Sequence, residues 1–148
     1  LIFNFFSKII MGDSGAYILG LFFGFVLINF SNSNLDISPI YILNLLWYPA
    51  FENLFSIIRK LKMKISISQA DNFHLHHIIY KYINGKYKKG NYNNSISGLV
   101  INLFNLITIS AATTISSHSF YLSLILIFNI FMYLIVYFLL FKNAKFSF

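Results

Sequence analysis

The feature that most constrains this chain is a series of long apolar runs whose connections differ sharply in charge. Four runs can be drawn, at 14–31, 37–58, 96–117 and 120–141. An α-helix rises about 1.5 Å per residue, so crossing a hydrocarbon layer of about 30 Å takes roughly 20 apolar residues. The first run lies near the short limit, and the other three are long enough. A backbone in lipid must satisfy its own hydrogen bonds, so each run is read as a helix. Asn102, Asn105 and Ser110 dilute the third run. Such small polar residues are common where membrane helices face one another.

Charge sorts the connections. The stretches Asn32 to Asp36 and Ser116 to Ser119 contain no Lys or Arg. Lys8 precedes the first run, and Lys142 and Lys145 follow the fourth. Arg59, Lys60, Lys62, Lys64, Lys81, Lys86, Lys88 and Lys89 fall between the second and third. All 11 cations therefore share one face, which the positive-inside rule assigns to the cytoplasm. Only 10% of residues are charged, against about 25% in a soluble domain, and 57% are hydrophobic. The net charge of +7 thus follows membrane topology. The expected partner of that charge is membrane lipid, not nucleic acid. Without cysteine, disulfides and thiolate metal sites are excluded. The expected fold is an all-α integral membrane protein of about four transmembrane helices, with a long basic cytoplasmic loop between the second and third.

That loop, 59–95, is longer than a plain connection needs, and long loops of this kind are commonly functional. Its later part, Gly85 to Asn91, reads as a flexible basic tether near anionic headgroups. Its earlier part holds Gln69 to His77, with three of the four histidines. His74, His76 and His77 read either as a polar surface cluster or as hydrogen-bond partners for a phosphate or nucleotide. They lack a companion acid at a familiar spacing, so a zinc site is the weaker reading. Asp71 is placed to orient one of them.

Three other residues carry chemistry. Asp13, between Gly12 and Gly15 at the head of the first run, reads as a helix N-cap or as a carboxylate that ligates Mg²⁺ at the membrane interface. Glu52 lies seven residues before Arg59, inside the second run. An acid at that depth normally faces a partner, structural or functional, or a water-filled cavity. Pro49 just before it is a candidate kink. Arg59 is the better phosphate candidate of the Arg59-Lys60 pair, because its planar fork grips two oxygens. His118 falls on the opposite face.

Three blocks, in order, resemble a known family. Met11-Gly12-Asp13-Ser14-Gly15-Ala16-Tyr17-Ile18-Leu19-Gly20 is similar to the Gly-Asp motif of the polyprenyl-phosphate N-acetylhexosamine-1-phosphate transferases. Tyr48-Pro49-Ala50-Phe51-Glu52-Asn53 through Arg59-Lys60 resembles the helix leading into that family's last large cytoplasmic loop. Asp71-Asn72-Phe73-His74-Leu75-His76-His77 resembles its histidine motif. The resemblance covers about the first 80 residues. Ile67 and Ala70 stand where the family often has proline.

The resemblance implies transfer of N-acetylhexosamine-1-phosphate from a UDP-N-acetylhexosamine to undecaprenyl phosphate, with release of UMP, in bacterial cell-wall or surface-polysaccharide synthesis such as that of lipopolysaccharide. It implies Mg²⁺ (with Mn²⁺ as a substitute), Asp13 on the metal side, and His74, His76 and His77 at the nucleotide-sugar phosphates. Gly12, Arg59 and Asp71 would support them. The location implied is the bacterial cytoplasmic membrane, multi-pass, with catalytic loops facing the cytoplasm and a homodimer compatible with it. The family's paired aspartates lie upstream of its Gly-Asp motif, where this chain has no counterpart. It is therefore expected to be a C-terminal part, incomplete as a catalyst alone. A transporter using Glu52 as an intramembrane charge and a non-catalytic lipid-binding scaffold are the alternatives.

Overall fold

A computed structural model describes residues 13–66, 73–86 and 93–143. These form five α-helices: α1, Asp13–Ser33; α2, Pro39–Lys62; α3, Leu75–Lys86; α4, Asn93–Thr114; and α5, Ser119–Asn143. The described residues contain no strand. Two helices, Asn93–Thr114 and Ser119–Lys142, are long and apolar enough to cross a membrane. The apolar stretch Tyr17–Ser33 is shorter. In α2, Asn44, Glu52 and Asn53 dilute an otherwise apolar sequence of spanning length.

The expected runs correspond to α1, α2, α4 and α5, with ends shifted by a few residues. The loop differs more. Its middle is not irregular, because Leu75–Lys86 forms the helix α3. Ile78, Ile79 and Ile83 lie one, four and five positions apart, an apolar face that packs into the core with Leu75. The histidine segment is thus the entrance to a docked helix. Of the expected tether, Gly85 and Lys86 belong to α3 rather than to a flexible segment, and 87–91 lies outside the described residues.

α2, α3, α4 and α5 share one core, built from Trp47, Leu75, Ile78, Ile79, Ile101, Tyr133 and Tyr137. Its aromatic rings meet both edge to face, as between Phe55 and Tyr137 at 4.8 Å, and stacked, as between Tyr133 and Tyr137 at 6.0 Å. α1 stands apart, with Tyr17, Leu21 and Phe25 each more than 60% exposed. Outward-facing apolar side chains on every long helix suit a lipid-facing surface better than a water-facing one.

The chain ends sort the polar connections in space. Ser38 N–H donates to the Ser116 carbonyl at 2.9 Å, and the Ser38 and Ser119 hydroxyls pair at 2.8 Å. The two cation-free connections therefore meet at one end of the bundle. The other end gathers Arg59, Phe73, Tyr137 and Phe141 through direct contacts. α2 runs through Pro49 without a break and stops in a Schellman arrangement, Ile65 N–H to Lys60 C=O and Lys64 N–H to Leu61 C=O. Lys64 takes the left-handed position of that cap, φ 56°, where glycine is the usual residue.

Candidate functional site

The site grows from one stripe of α2. Glu52, Ser56 and Arg59 stand four and then three residues apart, so they share a helix face, and all three are buried. Burying two ionised groups costs far more than their attraction returns unless every donor and acceptor is matched. The bundle supplies those matches from two directions.

From α5, Tyr133 and Tyr137 repeat at the same four-residue spacing. The Tyr133 hydroxyl donates to Glu52 Oε2 at 2.8 Å, and Arg59 Nη1 donates to the Tyr137 hydroxyl at 2.9 Å. From the segment entering α3, the Leu75 backbone N–H donates to Glu52 Oε1 at 3.0 Å. His74 Nδ1 lies 2.9 Å from the same oxygen. Arg59 Nη1 also donates to the Phe73 carbonyl at 3.0 Å. Three consecutive residues, Phe73 to Leu75, are thereby gripped from one stripe of α2.

Glu52 does the work of an N-cap from another helix. The first amides of α3 have no partner within their own helix, and His74, the residue before it, does not cap them. A carboxylate at that position satisfies one amide and meets the positive end of the helix dipole. The Arg59 guanidinium is covered by the Phe55, Phe73 and Tyr137 rings, each 5.7–5.8 Å from its central carbon, and cation–π attraction offsets part of its lost hydration.

This scaffold presents a cluster of three imidazoles. The His76 and His77 ring centroids are 4.1 Å apart, and the His74 and His76 rings are nearly parallel at 5.8 Å. Burial, then the neighbouring His77 and His74, hold the His76 pKa below the ordinary histidine value. Beneath the cluster, a cavity of about 150 Å³ is lined by apolar groups of Trp47, Tyr48, Leu75, Ile79, Phe104 and Tyr133, among others.

His74, His76 and His77 are thus brought together, and Arg59 joins them through Phe73. Gly12 and Asp71 lie outside the described residues, as does the side chain of Asp13, although α1 does begin at Asp13. Among the described residues no three His, Asp or Glu side chains form a metal-ligand set. Glu52 in particular has both oxygens occupied by protein donors. Sequence reasoning called for a partner or water at Glu52 but missed Tyr133 and Tyr137. Their signal was two phenols one helical turn apart in a strongly apolar run, each needing a partner once buried.

Fold and site together define a helical bundle with lipid-suited surfaces, presenting a rigidly held imidazole cluster at its basic end. Two curated relatives match it. Over 123 residues, 82% of the chain, it is 32% identical to a probable undecaprenyl-phosphate N-acetylglucosaminyl 1-phosphate transferase of Bacillus subtilis (strain 168). Over 82 residues, 55% of the chain, it is 29% identical to an undecaprenyl-phosphate alpha-N-acetylglucosaminyl 1-phosphate transferase of Thermotoga maritima. The matches span 32% and 26% of the length of those relatives. No family model and no solved structure matches the chain. Both relatives carry the name of the family whose three motifs the sequence resembles.

Proposed function

We propose that this chain forms part of an undecaprenyl-phosphate sugar-1-phosphate transferase, and that its basic end is the nucleotide-sugar side of the active site. The observation that carries the reading is the grip of Glu52 and Arg59 on Phe73 to Leu75, which holds the histidine motif rigidly at one end of the bundle. Its support is the similarity of most of the chain to two such enzymes. In this reading α1, α2, α4 and α5 are four membrane spans, and their basic end faces the cytoplasm.

The reaction joins two anions. An oxygen of undecaprenyl phosphate forms a bond to the sugar-bearing phosphorus of a UDP-N-acetylhexosamine. The bond from that phosphorus to the bridging oxygen breaks, and UMP leaves with the electron pair. The attacking oxygen is already ionised near neutral pH, so catalysis rests on positioning and charge neutralisation. His76 and His77 bind the nucleotide-sugar, Arg59 keeps their segment in place, and Asp71 supports it. Asp13 would hold Mg²⁺, a cation that prefers hard oxygen donors and would neutralise diphosphate charge. Glu52 does not fit that role, since its oxygens are taken. The same saturation weakens the transporter alternative, which needs a carboxylate open to a passing ion.

The test is Mg²⁺-dependent release of UMP from UDP-N-acetylglucosamine, with undecaprenyl phosphate as acceptor, by membranes carrying this sequence in its native reading frame. Asp13→Asn and His76→Ala are expected to abolish release without loss of the protein from the membrane. Near-normal turnover in both would sink the site assignment, and no UMP release from the wild type would favour a scaffold.

A further inference from the structure

We propose that Glu52 is a positioning residue that fixes the tautomer of His74, so that Nδ1 always carries a proton and Nε2 is the nitrogen that meets the substrate. The identity of that substrate rests on the transferase reading; the tautomer does not.

The hydrogen-bond inventory decides the matter. Glu52 Oε1 receives the Leu75 N–H at 3.0 Å, and a backbone amide can only donate. Oε2 receives the Tyr133 hydroxyl at 2.8 Å. A carboxylate with donors on both oxygens is an acceptor, so His74 Nδ1, 2.9 Å from Oε1, must be the donor. The side chain of free histidine favours its proton on Nε2, so the protein imposes the less common form. The acceptor and the backbone that carries the ring are both held in place. Tyr133 locks the carboxylate from one side, and the Phe73 carbonyl and Leu75 amide on either side of His74 are both tied to α2.

The consequence is a defined role for Nε2. In neutral His74 it is an acceptor, matched to a sugar hydroxyl or an amide N–H. In protonated His74 it is a donor, matched to a phosphate oxygen. A histidine with the opposite tautomer would be a donor at Nε2 in both states and would lose the neutral acceptor. The arrangement parallels a buried carboxylate behind a catalytic histidine, where imposing the wrong tautomer lowers kcat about 10⁴-fold.

The chain with ring-¹⁵N-labelled histidine, held in lipid nanodiscs, reports the tautomer by long-range ¹H–¹⁵N correlation. The His74 signals are identified by their loss in His74→Ala. Expected in the wild type is a protonated Nδ1, either as the neutral Nδ1–H tautomer or as imidazolium. Glu52→Gln, whose side-chain oxygen must still face the Leu75 N–H and therefore His74 Nδ1, is expected to keep Nδ1 protonated, as is Tyr133→Phe. Glu52→Leu, which removes both acceptor oxygens, is expected to move His74 toward Nε2–H. An unprotonated Nδ1 in the wild type, or an unchanged His74 pattern in a folded Glu52→Leu protein, overturns the proposal. Should Glu52→Leu fail to fold, Glu52→Asp, which keeps the charge but withdraws it, is expected to yield a mixture of tautomers, and a pattern identical to wild type overturns the proposal. In the UMP-release assay, Glu52→Leu is expected to lower kcat/KM at least about 100-fold. Near-normal turnover in a protein whose His74 has moved to Nε2–H would refute the role of Nε2. Absence of wild-type turnover with Nδ1 protonated would overturn the transferase reading and leave the tautomer assignment standing.

Discussion

The two ends of the bundle are both tied together by polar side chains, with opposite chemistry. At the cation-free end the groups are neutral. Ser38 caps α2 by accepting the Ile40 N–H at 3.2 Å and pairs with Ser119. The Tyr41 hydroxyl meets Thr113 at 3.1 Å, and Asn44 Nδ2 donates to the Leu122 carbonyl at 3.0 Å. At the basic end the hubs are an ion of each sign, Glu52 and Arg59. Neutral links are cheap to bury and tolerate loose ends, as the unpartnered Oδ1 of Asn44 shows. Ionic hubs tolerate none, because each lost partner exposes a buried charge. The first end is built to hold helices together. The second holds a backbone segment that bears histidines, and it is there that the active site is proposed.

Breaking the ionic end therefore has the largest expected effect. Glu52→Ala strands the Leu75 amide, His74 Nδ1 and the Tyr133 hydroxyl, each of which costs about 1–3 kcal/mol when buried without a partner. Hydrogen exchange in nanodiscs should speed up strongly across α3 and remain nearly unchanged in α1; uniform protection would erase the contrast between the ends. Arg59→Lys keeps the charge but loses the planar fork that reaches Phe73 and Tyr137 at once, an expected loss of about 2 kcal/mol measured by denaturation. At the neutral end, Ser38→Ala should cost only about 1 kcal/mol and leave exchange across α3 untouched. A larger penalty there than for Arg59→Lys would reverse the ranking.

The smallest expected effect is a pH dependence. The folded pKa of His76 lies below its unfolded value of about 6.5. Above that pH both states are neutral at this residue and His76 imposes no penalty. As pH falls from about 6.5 toward the folded pKa, the unfolded chain binds the proton first and stability is lost. Thermal midpoints at pH 7.5 and 5.5 should differ less in His76→Gln than in the wild type.

Much of this was legible in the residues themselves. The apolar runs located α1, α2, α4 and α5, because helices of that hydrophobicity and length are dictated locally. That Glu52 must face either a partner or water was also legible, since an acid seven residues inside an apolar helix is costly in lipid. What was not legible was the partner. Tyr133 lies 81 residues away and His74 22 residues away, and nothing in local periodicity links them. The start of α3 at Leu75 was hidden for the same reason. Its first amide is capped from α2 rather than by its own neighbours, so the usual sequence sign of a helix N-terminus is missing.

By itself, then, the sequence determined where helices form, which connections carry charge, and which side chains are too costly to bury alone. Only the tertiary structure decided which groups meet that cost. Hydrophobicity acts through local composition, whereas hydrogen bonds to a buried ion depend on angles and distances fixed only when α2, α3 and α5 pack together. That packing is what joins Arg59, a candidate phosphate ligand, to Phe73 and Tyr137, and what gives Glu52 its partners Tyr133, His74 and Leu75.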